Sequence, residues 1–469
     1  MIKELWRLDR IGENMFDVAF KSLPTKPKGI SKNSYRARQQ RFLSQYDVGD
    51  LIIVSSLPEA TRSNDVHYPY RSSSDMLYMC GWSDPEATLL FYHDENKWIS
   101  HLFVQPKDTL MEIWEGRRPG VEGALKDWPV DRANASDDLV DHLEQLLENA
   151  VRVHVRTGIN TMIDSIVMQA VEKRDRKRQH FGSGPISIED PSRRIAEMRL
   201  RKSEEEIQQM RYAAEVSSKA HELAMAASKD GIHEFQIQSI IEGFFVYGGT
   251  SGWAYPSIVG CGENATILHY TVNNAQCQSD EIILIDAGAE YEGYAADITR
   301  SWPIGGTFSE AQREIYEIVL EAQEKAIDAC RVGNPYNMPH EVACRTLAEG
   351  LIRLGIITQS LDEALDLETG DLRKWYMHNT GHWLGLDVHD VGTYKPDGTP
   401  RLLEAGMVLT VEPGLYFGAW RPDVDCPERY ANIGIRIEDD VLVTEGDPDV
   451  LTASCPKTIA DIERIVGSL

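Results

Sequence analysis

The sequence predicts two unlike domains in series after a short extension. Residues 35–185 read as an α/β domain. Residues 186–469 read as an α+β domain with helices packed on one face of a curved antiparallel sheet. Three observations carry this. Strand-like and helix-like spacings alternate in the first half, as in an α/β unit. In the second half, strand pairs are segregated from long, capped helices. Between them Gly182-Ser183-Gly184-Pro185 breaks both patterns. At 469 residues the chain also exceeds what one ordinary core holds.

Residues 1–34 mix charge with Pro24, Pro27 and Gly29 and show no period, so they form an extension with no readable role. The run Asp50-Leu51-Ile52-Ile53-Val54 reads as a strand. Residues 87–92 and 97–104 flank Asp94-Glu95-Asn96 as a hairpin. Residues 138–150 carry Leu139, Leu143, Leu146 and Leu147 at helical spacing and lead into a strand at 151–155; residues 162–178 form a further helix. Two polar, aromatic, arginine-bearing segments, 61–71 and 113–118, read as surface loops.

In the second half Ser203-Glu204-Glu205-Glu206 is a capping box that opens a helix toward Ala227. Ser309-Glu310-Ala311-Gln312 opens another, and residues 339–354 form a third, closed by Gly355. Strand-like runs lie around Ile258-Val259, at 281–286, at 408–411 and at 433–443.

Composition sets limits. A formal charge of -26 repels phosphate backbones, so nucleic acid is excluded as a partner. No apolar run reaches the roughly 20 residues of a membrane span. The seven cysteines are scattered and form no C-x-x-C, which argues against a disulfide framework and against a thiolate zinc site. Residues 1–10 lack a secretion signal's apolar core. A cytoplasmic location is expected.

The run Ile282-Ile283-Leu284-Ile285-Asp286 ends an apolar strand on a carboxylate, which is costly in a core unless something compensates it. Glu292-Gly293 supplies turn chemistry, and a second run carries Asp297. A hairpin would set Asp286 and Asp297 roughly 5 Å apart at Cβ if they are directly opposed. Two carboxylates that close do not both stay ionised without a cation between them. As isolated residues they would be turn or capping groups. The same punctuation recurs: Glu412 ends residues 408–411, and Arg436 and Glu438 lie in Gly434-Ile435-Arg436-Ile437-Glu438. His269, His378, His382 and His389 occupy the neighbouring segments. His378 and His382 have helical i, i+4 spacing, but Gly381 and Gly385 argue against a helix. Together two Asp, two Glu and a His make an oxygen-rich donor set suited to hard or borderline divalent ions. Mn²⁺ fits it, with Co²⁺ and Zn²⁺ as alternatives.

The order Asp286, Asp297, His382, Glu412, Glu438 resembles the five-ligand signature of the pita-bread dinuclear metallopeptidases. The wording is most similar to the Xaa-Pro aminopeptidase (aminopeptidase P) family: Ile267-Leu268-His269-Tyr270, Ile285-Asp286-Ala287-Gly288, the block from His382 to His389, Thr410-Val411-Glu412-Pro413-Gly414-Leu415-Tyr416 and Ile435-Arg436-Ile437-Glu438. Tyr68-Pro69-Tyr70-Arg71 and Gly116-Arg117-Arg118 resemble that family's creatinase-like N-terminal domain. The resemblance implies an α/β creatinase-like domain followed by an α+β pita-bread catalytic domain.

It further implies an aminopeptidase that hydrolyses the bond between an N-terminal residue and a penultimate proline, using a hydroxide bridging two divalent ions. Asp286 would chelate one ion, Asp297 and Glu438 would bridge both, Glu412 would ligate one and His382 the other. Glu412 would also carry the proton. His389 would donate to the oxyanion, and His269 would contact the scissile region or leaving group. His378 and Arg436 would orient ligands and substrate, with Tyr416 facing the substrate. Partners would be peptides with proline in second position, plus further copies of the chain in a homodimer or homotetramer. In that assembly Trp114 with Glu115, Arg117 and Arg118 would help wall a neighbour's cleft. Two alternatives stand beside this: prolidase, which acts on Xaa-Pro dipeptides, and a metal-free peptide-binding protein on the same fold.

Overall fold

The structure, a computed structural model, describes residues 14–181 and 185–469. The expectation drawn from residues 1–10 and the break at Gly182-Ser183-Gly184 fall on residues outside those described. The chain divides into two compact units, residues 30–199 and residues 1–29 with 200–469. The sequence reading set its boundaries at 34/35 and 185/186.

The unit of residues 30–199 is built on a mixed six-stranded sheet. Its spatial order is Arg132–Ala135, Lys97–Val104, Thr88–Asp94, Asp50–Ser55, Arg152–Val155, Ser187–Glu189. The three central strands pair antiparallel, around the expected turn at Glu95-Asn96, and the outer ones join in parallel. Helix Leu139–Asn149 buries Leu139, Leu143 and Leu147, one face at i, i+4, i+8, against Leu51, Ile53, Leu90, Phe103 and Val153 of the sheet. One reading is corrected here: residues 113–115 are helical, not loop. Asp108 caps helix Thr109–Glu115 by accepting from the amides of Leu110 (2.8 Å) and Met111 (3.1 Å), and Gly116 stops it. Segment 61–71 carries a small hairpin, Thr61–Ser63 with Val66–His67, fully exposed.

In the other unit, strands Ile258–Cys261, Ile282–Asp286 and Thr299–Pro303 form an antiparallel sheet with Ile282–Asp286 in the centre. Helices Glu204–Ala227, Glu234–Tyr247, Glu310–Asp328 and Met338–Arg353 accompany it. The capping boxes expected at Ser203 and Ser309 are both present. Residues 433–443 are not one strand. Gly434–Arg436 pairs with Gly414–Tyr416, and Asp439–Leu442 pairs with Val408–Val411. Glu412-Pro413 and Ile437-Glu438 therefore lie at matching steps between two ladders, where Pro413 has no N–H to offer. The cysteines also depart from expectation: Cys261 and Cys277 form a disulfide with Cα atoms 5.5 Å apart. Among the described residues no helix is long and apolar enough to cross a membrane.

Candidate metal centre

Cross-strand pairing brings the carboxylates together, although not in the register expected. Asp286 ends the central strand opposite Thr299, so Asp297 stands two residues beyond the ladder rather than across from Asp286. The Glu292-Gly293 turn closes a separate two-residue hairpin, Glu290–Tyr291 with Tyr294–Ala295, inside the connection. The close approach depends on a missing side chain. A β-carbon at Gly288 would sit 1.8 Å from the Ala296 carbonyl oxygen.

What links the two aspartates is a residue the sequence reading missed. The Tyr255 hydroxyl donates to Asp286 Oδ1 at 2.6 Å and also meets Asp297 Oδ1. Burial and the two carboxylates hold its proton well above the usual phenol range, so it stays a donor. Nothing periodic marks Tyr255 in Trp253-Ala254-Tyr255-Pro256. The backbone amide of Asp297 donates to Asp440 Oδ2 (3.1 Å), another contact not visible from the sequence.

Glu438 reaches the cluster from its ladder step. Its amide donates to the Thr299 carbonyl (3.1 Å), and its Oε2 accepts from the Thr299 hydroxyl (2.6 Å). Glu412 is placed by its amide's bond to the Thr380 carbonyl (2.7 Å). His382 sits on an extended segment clamped against Val408–Val411: its amide donates to Thr410 Oγ1, and its carbonyl accepts from the Thr410 amide. As the glycines predict, there is no helix here, and a β-carbon at Gly381 would lie 2.0 Å from the Thr410 carbonyl oxygen. His382 Nδ1 lies 3.0 Å from the Trp383 carbonyl, which can only accept, so Nδ1 carries the proton and Nε2 is free to ligate. Nε2 points at Asp297 Oδ2 (3.4 Å) and Glu412 Oε1 (3.9 Å). Ligand atoms of Asp297, His382 and Glu438 all lie within 4.8 Å of one another.

The electrostatics of this cluster are unbalanced. Burial and the Asp286 charge raise Asp297, though His382 pulls the other way. Burial, then Asp297, Glu412 and Asp286, push Glu438 well above the usual carboxylate range. Glu412 is driven by burial up to about 7 against His382 and Arg436, with Asp297 and Asp286 adding to the rise. His382 is drawn up to about 9 by Asp297 and Glu412, although burial opposes it. Arg436, buried beside these side chains, donates to Asp286 Oδ2 (2.7 Å), Thr299 Oγ1 (3.0 Å) and the Tyr416 hydroxyl (3.1 Å).

Tyr416 in turn donates to His378 Nε2 (2.8 Å), because His378 Nδ1 must donate to the Asn379 carbonyl (2.7 Å). Burial and Arg436 hold His378 down to about 3, so it is a neutral acceptor. His389 packs edge-on to His382 with ring centroids 4.3 Å apart. Burial, His382 and His269 lower it, so it too is neutral near pH 7. His269 is exposed on the loop after residues 262–266, near enough to His378 and His389 for its positive form to disfavour theirs. Asp286, Asp297, His382, Glu412, Glu438, Arg436, Tyr416, His378, His389 and His269 thus fall in or beside one cluster, whereas Trp114, Glu115, Arg117 and Arg118 belong to the other unit.

Residues 208–445 match the model of metallopeptidase family M24, and residues 35–155 match the aminopeptidase P N-terminal domain. The chain is 42% identical to an Xaa-Pro aminopeptidase of Escherichia coli, over 93% of this chain and 98% of that one. Its fold is similar to that of Pseudomonas aeruginosa aminopeptidase PepP, with TM-score 0.88, 38% identity, and coverage of 93% and 98% of the two chains. It is equally similar, at 41% identity and the same TM-score and coverage, to a zinc-substituted E. coli aminopeptidase P in complex with product.

Proposed function

The chain belongs to metallopeptidase family M24, with the pita-bread fold behind an aminopeptidase P N-terminal domain, and on that premise we propose that it is a metal-dependent Xaa-Pro aminopeptidase. One observation carries the reading. Asp286, Asp297, Glu412 and Glu438 converge with too little positive charge among them, and a histidine nitrogen is turned inward. Buried like charges of this kind are tolerable when a cation joins them.

The donor set fits two divalent ions. Asp286, Asp297, His382, Glu412 and Glu438 would hold them. Because His382 Nε2 faces both Asp297 and Glu412, a shared ion suits those two better than separate ones. Oxygen donors with one imidazole favour Mn²⁺, with Co²⁺ or Zn²⁺ as substitutes. When bound, such ions polarise the scissile carbonyl and activate a water.

The chain's own groups do the rest. Glu412, beside the place where the ions would sit, takes up and returns the proton. His389, neutral and exposed, donates to the oxygen of the carbonyl under attack. His269 contacts the leaving side. Arg436 fixes Asp286 and, through Tyr416, His378; these bonds set the ligand and the substrate-facing hydroxyl in place. The substrate's α-ammonium is met by the carboxylates. Proline, a tertiary amide without N–H, needs no backbone acceptor from the enzyme.

Arg436 is 3% exposed and spends its donors on protein oxygens, so it does not serve as an anchor for a dipeptide's carboxylate. This favours longer peptides over the prolidase alternative. The Mn²⁺-loaded protein is expected to hold about two ions per chain and to cut Xaa-Pro-Yaa with higher kcat/KM than the matching Xaa-Pro. Cleavage confined to dipeptides makes it a prolidase. Protein grown with manganese that holds no metal and cuts nothing is a binding protein instead.

Self-association is part of the same proposal. On helix Thr109–Glu115, Leu110, Ile113 and Trp114 are exposed, Trp114 by 80%. Apolar surface of that kind beside arginines suits an interface between copies. A fully active monomer by light scattering at micromolar concentration refutes it.

A further inference from the structure

Glu234, the first residue of helix Glu234–Tyr247, takes no part in the metal cluster, yet it is a wholly buried carboxylate with 0% exposure. No ion pair within 4.0 Å compensates it among the described residues. Instead both oxygens are saturated by one segment. Oε1 accepts from the amide of Cys261 (2.8 Å) and from Asn264 Nδ2 (3.0 Å). Oε2 accepts from the Tyr270 hydroxyl (3.0 Å) and from the amide of Ala275 (2.8 Å). The Glu234 amide returns a bond to the Ala275 carbonyl (3.0 Å).

The donors span the segment from its first residue to its last turn, and His269 lies at its centre, next to Tyr270. The Cys261–Cys277 disulfide closes the same stretch of chain. Asn273 ties it sideways: its Oδ1 accepts from the Val259 amide, and its Nδ2 donates to the Ser257 carbonyl and Gln238 Oε1. A segment held only for stability could end on apolar contacts. Here a buried charge is maintained where four donors converge, and only a carboxylate offers two acceptor oxygens without a competing N–H. At the helix start, the negative charge also meets the positive end of the peptide dipoles.

We propose that Glu234 is a positioning residue for catalysis, a four-point clamp on residues 261–275 that fixes the place of His269 on that segment. This rests on the aminopeptidase reading above. Its logic is that of orientation: a displacement of about 1 Å in a group acting on the reacting atoms costs up to about a hundredfold in rate.

Glu234→Gln puts an amide N–H against two of the four donors and loosens the clamp. Because the disulfide still closes the segment, kcat on an Xaa-Pro-Yaa peptide is expected to fall about tenfold rather than vanish. KM and metal content should stay within about twofold. The decisive measurement is the double variant. If Glu234 acts through His269, Glu234→Gln with His269→Ala is no slower than His269→Ala alone. Additive losses, or a Glu234→Gln enzyme with normal kcat, overturn the proposal.

If Glu234→Gln does not fold, Tyr270→Phe removes one donor and should show a smaller loss that also disappears in the His269→Ala background; an additive loss there overturns the proposal equally. A second readout needs no activity. Limited proteolysis should cut within residues 262–276 faster in either clamp variant than in the unmodified chain, and equal rates refute the clamp. A chain that is protected there but hydrolyses no Xaa-Pro peptide refutes the aminopeptidase reading alone.

Discussion

Glu438 and Asp439 are neighbours in sequence and equally deep in the protein, but they face opposite sides and live in opposite electrostatics. Asp439 meets Arg300 (2.7 Å), Lys457 (2.7 Å), Gln323 (2.8 Å) and Thr452 (2.7 Å). Against the upward push of burial, Arg300 and Lys457 hold it down to about 2. Glu438 meets one hydroxyl and a crowd of other carboxylates, and is pushed up. Depth alone therefore does not identify a functional charge. A buried carboxylate balanced from within is architecture, and one crowded by its own kind asks for something from outside. Asp50, in the other unit, belongs to the first class: Arg152 Nε and the Asp47 amide lower it even as burial raises it.

Neutralising one charge on each side separates the two cases most sharply. Asp297→Asn or Glu438→Gln should lower turnover by about 10⁴-fold with loss of bound metal. The same change should raise the Tm of the chelated protein, since it removes like-charge repulsion. Near-normal activity at saturating Mn²⁺ would break the comparison. Asp439→Asn should do the reverse, leaving Arg300 and Lys457 short of a partner and destabilising the fold by about 3–5 kcal/mol, with metal stoichiometry kept in whatever remains folded. A Tm equal to that of the unmodified chain would show that the outer pair is idle.

His389→Ala should lower kcat by about 10²–10³-fold with metal content intact, because the ring touches His382 without sharing its ligand nitrogen. Loss of metal would place His389 among the ligands.

The smallest effect is in pH. Glu412, raised from 4.5 to about 7 when no metal is bound, favours the folded state below its unfolded pKa, and that contribution is lost as pH rises through about 7. The chelated protein should therefore lose Tm between pH 5 and pH 8, a loss that added Mn²⁺ reverses. Asp439, depressed from 3.8 to about 2, works the other way: its contribution, about 2 kcal/mol, is present above 3.8 and lost as pH falls toward 2. A chelated protein whose Tm is flat from pH 5 to pH 8 would contradict the crowding.

Local chemistry made some of this legible in the sequence. Ser203 and Ser309 announced their helices because a capping box is a contact between residues three apart. The strand ending on Asp286 was visible as an interrupted apolar run. The five candidate ligands were found by family resemblance; spacing alone left them ambiguous. What stayed hidden depends on contacts across the fold. Tyr255 reaches Asp286 over 31 positions, and Asp440 reaches Asp297 over 143. The Asp286–Thr299 register was misjudged because a second hairpin is nested inside the connection. The Cys261–Cys277 pair has no spacing signature, since the fold and not the interval brings the thiols together. Helix Thr109–Glu115 was a different kind of miss, because its cap, Asp108, was there to be read.

The absent β-carbons at Gly288 and Gly381 bear on how such a site can change over generations. At both positions a single added carbon would fall about 2 Å from a main-chain oxygen, so drift there is closed to every other amino acid. No compensating side-chain exchange nearby opens it, because the obstacle is backbone. Variation in what the enzyme accepts must therefore enter from elsewhere, through exposed side chains such as Ile267 and Val272. A directed library that spares the two glycines and diversifies such exposed positions should retain metal-loaded clones; one that includes the glycines should return almost none.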